Sequence, residues 1–219
     1  MQQTAGSLTN KAIQIGNLSI KARITIFLVL IAAFCLLTVL VKSGNIAAFE
    51  SSVHIKITRN TNPIPTAVMK AISNFGAVGM IVAIVLVFLA LPVTRVKLGV
   101  PVAINAAFSS ILNNVLKVLI ARDRPELNRL VDASGYGFPS GHAMNNTALY
   151  TIIVIITFRL TEVDKTRILI LIFGALASFL IGVSRVYLGV HNTGDVLAGW
   201  MMGVAVALLV DTLYVLVSH

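Results

Sequence analysis

Apolar residues run along this chain in long unbroken stretches, without the alternation or amphipathic spacing of a soluble domain. Six stretches stand out, at residues 24–41, 71–94, 98–116, 143–158, 168–184 and 196–217. Only the last carries a charge, Asp211. A helix that crosses the hydrocarbon core needs about 20 mostly apolar residues, and a segment in lipid must satisfy its own backbone hydrogen bonds. The pattern therefore predicts an all-α polytopic membrane protein, six transmembrane helices in one bundle, the fourth and fifth borrowing residues from their flanks. No internal repeat, low-complexity tract or linker divides residues 1–219, so a single domain is expected.

The first stretch resembles a signal peptide in having Lys11, Lys21 and Arg23 ahead of it and Ala47 and Ala48 behind. Its apolar run is longer than the usual signal core of about 7 to 15 residues, so a retained span is expected. Residues 42–70 read as an outer loop, with a turn or extended stretch at Asn62, Pro63 and Pro65. Residues 1–23 read as a basic segment able to lie on an anionic membrane surface.

Composition agrees with this picture. The chain is 57% hydrophobic and 11% charged, against about a quarter charged in ordinary globular proteins, and its mean hydropathy is +0.92. The net charge of +9 comes from cations dispersed among the spans, which argues against a nucleic-acid partner. Cys35 is the one cysteine, so no intramolecular disulfide forms. With the N-terminus inside, Lys11, Lys21, Arg23, Arg95, Lys97, Arg159, Lys165 and Arg167 fall on the inner side, eight of the 17 basic residues. That even split gives charge bias little grip on orientation. The expectation is a multi-pass cell-membrane protein with both termini cytoplasmic.

The parity of the spans has a firmer consequence. The loop between spans three and four and the loop between spans five and six open on the same membrane face. The first carries Lys117, Arg124, Pro125 and then Pro139-Ser140-Gly141-His142; the second carries Ser184, Arg185, His191 and Asp195. This set suits a phosphate. Arginine forks match phosphate oxygens and lysine adds a compact positive charge. A Ser-Gly turn at a helix start offers backbone N–H groups and the positive end of the helix dipole. Two histidines supply a nucleophile and a proton donor. With His191 and Asp195 four residues apart on one helical face, the carboxylate can orient the imidazole. Arg122, Asp123, Glu126 and Arg129, by contrast, read as solvated loop charges. Asp211 lies 16 residues beyond Asp195, about 24 Å along a helix, and reads as structural. His54 and His219 read as ordinary exposed residues.

These motifs, K-x-x-x-x-x-x-R-P, P-S-G-H and S-R-x-x-x-x-x-H-x-x-x-D, resemble the three-part signature of the type 2 phosphatidic acid phosphatase family. Lys117, Arg124, Pro125, Pro139, Ser140, Gly141, His142, Ser184, Arg185, His191 and Asp195 match it, and the filler Asn192-Thr193-Gly194 carries no weight. The size and layout are similar to bacterial membrane lipid phosphatases acting on phosphatidylglycerol phosphate or undecaprenyl diphosphate. The resemblance implies catalysis by His191, His142 and Asp195: His191 attacks phosphorus, Asp195 orients it, and His142 protonates the departing oxygen. It implies phosphate binding by Lys117, Arg124, Ser140, Gly141 and Arg185, at the outer interface, with no metal and no cofactor. The substrate headgroup stays open between those lipids, as does the oligomeric state. The alternative is a non-catalytic lipid-phosphate binding or transport protein on the same anion site.

Overall fold

The computed structural model describes residues 18–58, 61–126 and 129–217. His219 and most of the expected basic segment at residues 1–23 lie outside the described residues. Among the described residues eight helices carry the fold: α1 (Ile20–Lys42), α2 (Ala47–Thr58), α3 (Pro63–Phe75), α4 (Val78–Ala90), α5 (Val100–Ile120), α6 (Gly141–Leu160), α7 (Asp164–Tyr187) and α8 (Thr193–Val217). A short helical turn, Pro92–Thr94, and a π-helical turn, Arg95–Gly99, run directly into α5. Among the described residues five helices are long and apolar enough to span a membrane, and α3 with α4, bent by 44°, together have the length and composition of a sixth. The architecture is the expected all-α membrane bundle.

Two details differ from the sequence expectation. Residues 42–70 are largely helical: α2 and the start of α3 replace the outer loop. Asn62 caps α3 by accepting from the Ile64 N–H at 3.2 Å, with Pro63 at the first helical position, where its missing N–H costs nothing. The Asn-Pro pair thus starts a helix. The second span is also broken near Gly76. Its carbonyl, released from the helical ladder by the bend, accepts from Asn146 Nδ2 at 2.8 Å, the repair that a broken helix needs at membrane depth.

The centre of the bundle is the α6–α8 pair. Gly199 and Gly203 lie one turn apart on α8 and face α6 without side chains. A Cβ on Gly203 would stand 2.6 Å from the Met144 carbonyl oxygen and 2.7 Å from Thr147 Cβ. In lipid such small residues let helix backbones approach and gain dispersion contact. Phe138, fully buried just ahead of α6, packs on Phe34 of α1 at 5.7 Å between ring centroids. That contact anchors the turn that follows it. At the far end of the bundle, Asp211 of α8 is buried and paired with Arg23 of α1 and, at 2.8 Å, with Arg159 of α6. A charge at that depth persists only when paired, so Asp211 locks three helices together.

Candidate active site

The helices α5 and α7 end, and α6 and α8 begin, at one end of the bundle, where the two motif-bearing connections meet. The α5 helix stops at Ala121, which has φ 51 and whose N–H returns to the Lys117 carbonyl at 2.9 Å. The chain then turns across the mouth of the bundle. The Phe138–Pro139 peptide is cis, and Ser140 opens α6. The Ser140 N–H donates to the Asp195 carbonyl at 2.9 Å, tying the α6 start to the α8 start. That N–H is therefore committed, and Ser140 offers its hydroxyl instead, which is buried without a protein partner. Gly141 is packed against Asn113 of α5: an added Cβ would stand 2.9 Å from Asn113 Oδ1. Asn113 also donates to the Pro139 carbonyl at 3.3 Å.

His191 is buried in the turn before α8. The sequence reading set His191 and Asp195 on one helical face, but α8 begins at Thr193. The pair is instead built on a helix cap: Asp195 Oδ2 accepts from the Asn192 N–H at 2.8 Å, the reach-back half of a capping box. The same oxygen stands 3.4 Å from His191 Nδ1. On the other side of the ring, Arg124 Nη1 lies 3.1 Å from Nε2. Arginine can only donate, so Nε2 carries its lone pair toward Arg124 and the proton sits on Nδ1, facing Asp195. Burial, with Arg124 and Arg185 nearby, pushes the His191 imidazole down to about 4 despite the pull of Asp195. At neutral pH it is an uncharged base whose Nε2 lone pair accepts from Arg124.

The other expected residues gather around it. Lys117, at the end of α5, donates to the Tyr136 carbonyl at 2.7 Å. Arg124 is fixed by the carbonyls of Ser134 (3.0 Å), Gly135 (2.9 Å) and Val190 (3.0 Å). Arg185 of α7 donates to the Ser73 hydroxyl on α3. His142 lies in the first turn of α6, where burial, and after it the charges of Arg185, Arg124 and Lys117, push its imidazole down to about 3. All eight expected site residues thus converge at one end. Ser184 does not join them, since its hydroxyl bonds back to the Ile181 carbonyl.

Two residues in the site escaped the sequence reading. Arg122 is no solvated loop charge. Its Nη1 lies 2.6 Å from Asp195 Oδ1, and its guanidinium is bidentate to Glu50 of α2 at 3.0 and 2.6 Å. These two partners hold the guanidinium above its ordinary range against the opposing effect of burial. Glu50 is buried and also accepts from the Gly194 N–H at 3.0 Å. A Cβ on Gly194 would stand 2.6 Å from that Glu50 oxygen. The filler between His191 and Asp195 is therefore constrained at Gly194, which admits Glu50, while Asn192 contributes its backbone N–H to Asp195. The one sequence signal was Glu50 itself, a lone acid in the weakly polar run Ala47-Ala48-Phe49-Glu50.

The comparisons with known proteins point the same way. The PAP2 superfamily model matches residues 98–216. Phosphatidylglycerophosphatase B of Bacillus subtilis is 41% identical over 101 residues, 46% of this chain and 50% of that protein's length. The chain thus aligns with half of that relative. An undecaprenyl-diphosphatase of Sulfolobus acidocaldarius is 29% identical over 152 residues, 66% of this chain and 69% of its own. The crystal structure of a transmembrane PAP2-type phosphatidylglycerolphosphate phosphatase from Bacillus subtilis superposes with a TM-score of 0.80 at 26% identity, covering 87% of this chain and 96% of that one.

Proposed function

Because the chain belongs to the PAP2 superfamily, we propose that it is a metal-independent membrane lipid phosphatase working through a phosphohistidine. The observation that carries this reading is the buried His191 ring, with Nδ1 facing Asp195 and the Nε2 lone pair turned toward Arg124. A substrate phosphate enters beside Arg124. His142 takes up a proton as the anionic phosphate offsets the surrounding cations; His191 Nε2 then attacks phosphorus while the bond to the lipid oxygen breaks, and His142 passes its proton to that oxygen. Water then attacks the phosphohistidine, His142 takes its proton, and inorganic phosphate leaves. Asp195 stabilises the imidazolium character that His191 gains as its Nε2 bonds to phosphorus. Lys117, Arg124, Arg185, the Ser140 hydroxyl and the free N–H groups at the α6 start hold the oxygens as charge shifts. Among the described residues no three His, Cys, Asp or Glu side chains form a metal-ligand cluster.

The substrate class is a lipid phosphate or diphosphate, with phosphatidylglycerol phosphate and undecaprenyl diphosphate the leading headgroups. The named activities of the relatives support that pair. We place the site on the extracytoplasmic face and both termini in the cytoplasm. Setting aside the site cations Lys117, Arg122, Arg124 and Arg185 leaves Lys42, Lys56, Arg59, Lys70 and Arg129 on that face, against eight on the other. That excess favours the assignment.

Phosphate release in detergent with EDTA, from phosphatidylglycerol phosphate, undecaprenyl diphosphate and phosphatidic acid, tests the reading. The expected result is release by the parent and at least a thousandfold loss in His191→Ala. Undiminished release by the variant sinks the mechanism, and full inhibition by EDTA sinks metal independence. A parent that binds these lipids without turnover is a binder instead. Labelling of Ser134→Cys by an impermeant reagent in intact cells checks the face.

A further inference from the structure

Asp195 has a second partner that the phosphate chemistry does not require. Each of its oxygens faces a different cation or donor: Oδ2 meets His191 and the Asn192 N–H, and Oδ1 meets Arg122 at 2.6 Å. Arg122 is in turn neutralised by Glu50, which arrives from α2 and also receives the Gly194 N–H at the α8 start. The resulting chain runs His191, Asp195, Arg122, Glu50, with alternating charge when the histidine is protonated. Glu50 and Gly194 fit so closely that a Cβ at 194 would displace the Glu50 carboxylate from its place. Nothing in phosphate binding explains a buried carboxylate there, because an acid beside an anion site opposes the ligand.

We propose that Arg122 and Glu50 are a positioning pair that sets how strongly Asp195 holds the His191 imidazole, and that they link the α2 helix to the nucleophile. Arg122 draws the Asp195 charge away from His191 and fixes the carboxylate plane; Glu50 tempers that pull. The inference rests on the phosphatase reading. The groups that bear on His191 are Lys117 from α5, Arg122 and Arg124 from the following loop, His142 from α6, Arg185 from α7, Asp195 from α8 and Glu50 from α2. Removing one charge of the pair leaves the others in place, so the sign of the response is defined. Loss of Arg122 makes the surroundings of His191 more negative and favours its protonation. Loss of Glu50 does the reverse. A unit charge on the far side of a carboxylate, at an effective dielectric near 20 to 40, moves a neighbouring titration by roughly half to one and a half pH units.

The test is the pH dependence of kcat/KM for phosphate release from phosphatidic acid in detergent, for the parent, Arg122→Met, Arg122→Lys, Glu50→Gln and the Arg122→Met/Glu50→Gln double variant. The acid limb is expected to move up by at least half a pH unit in Arg122→Met and down in Glu50→Gln. It returns near the parent position in the double variant, and stays there in Arg122→Lys while kcat falls. A merely structural pair lowers kcat or stability and leaves the limbs aligned. Coincident limbs in variants that stay monodisperse and active overturn the proposal. If Arg122→Met does not fold, Glu50→Gln decides: it keeps the shape of Glu50, and an acid limb that does not move down overturns the proposal. If phosphatidic acid is not turned over, the same profiles are read on phosphatidylglycerol phosphate or undecaprenyl diphosphate; a parent that releases phosphate from none of the three sinks the phosphatase reading, and this inference with it.

Discussion

Replacing Asp195 by Asn preserves shape and removes one acceptor at a point where two oxygens serve three donors. Oδ1 receives Arg122 at 2.6 Å, and Oδ2 receives the Asn192 N–H at 2.8 Å and faces His191 Nδ1 at 3.4 Å. An amide has one acceptor oxygen. Charged donors make hydrogen bonds about twice as strong as neutral ones, so the oxygen turns to Arg122 and the NH2 turns to His191. The NH2 then donates to Nδ1, the ring proton moves to Nε2, and the lone pair that would attack phosphorus is gone. The new Nε2–H also points at Arg124, donor against donor at 3.1 Å. The same exchange in a Ser-His-Asp triad lowers kcat about 10⁴-fold. A loss of about 10³ to 10⁴ in kcat is expected here, about 4 to 5.5 kcal/mol of barrier, with KM little changed because the cationic cradle is intact. Single-turnover phosphate release from a lipid phosphate measures it. A folded Asp195→Asn protein with kcat within tenfold of the parent would refute the tautomer argument.

Three further outcomes follow from the same coordinates. Gly203→Ala should destabilise the protein by about 1 to 3 kcal/mol, because the added methyl meets backbone of α6 that cannot move aside; a thermal midpoint in detergent equal to the parent's would contradict this. Asp211→Ala should cost about 3 kcal/mol, since Arg23 and Arg159 lose a shared buried carboxylate, while kcat is retained because the cluster lies at the far end of the bundle. Thermal unfolding and turnover measured together check both halves. The folded His191 value of about 4 is below the ordinary 6.5, so the unfolded chain binds more protons between those values. Its contribution to stability is full above pH 6.5 and is lost as pH falls toward 4. His191→Gln should therefore show a shallower loss of thermal stability over that window than the parent, and parallel curves would contradict the assignment.

Much of this protein was legible in its sequence, for a physical reason. Hydrocarbon admits few backbone solutions, so long apolar runs give spans directly, and their parity places the two motif-bearing loops together. The side chains expected to bind phosphate and to act in catalysis sit in short local motifs, and all eight converge. What stayed hidden depends on contacts between distant segments. The bend in the second span needs Asn146 across from Gly76, and the helical character of residues 47–58 and 63–75 needs surfaces for α2 and α3 to pack on.

Arg122 shows the limit most sharply. By sequence it is one of four loop charges that read as solvated, and Asp123 and Glu126 beside it remain exposed. Arg122 alone meets Asp195, 73 positions later, and Glu50, 72 positions earlier. Similarly, Arg185 finds its hydroxyl partner Ser73 at a separation of 112. Apolar length and motif spacing are properties of neighbouring residues, and the sequence alone determined them. Which buried charge is paired, and through which partner His191 is held, is decided where helices meet, because only there are charges desolvated enough for one pairing to prevail over water.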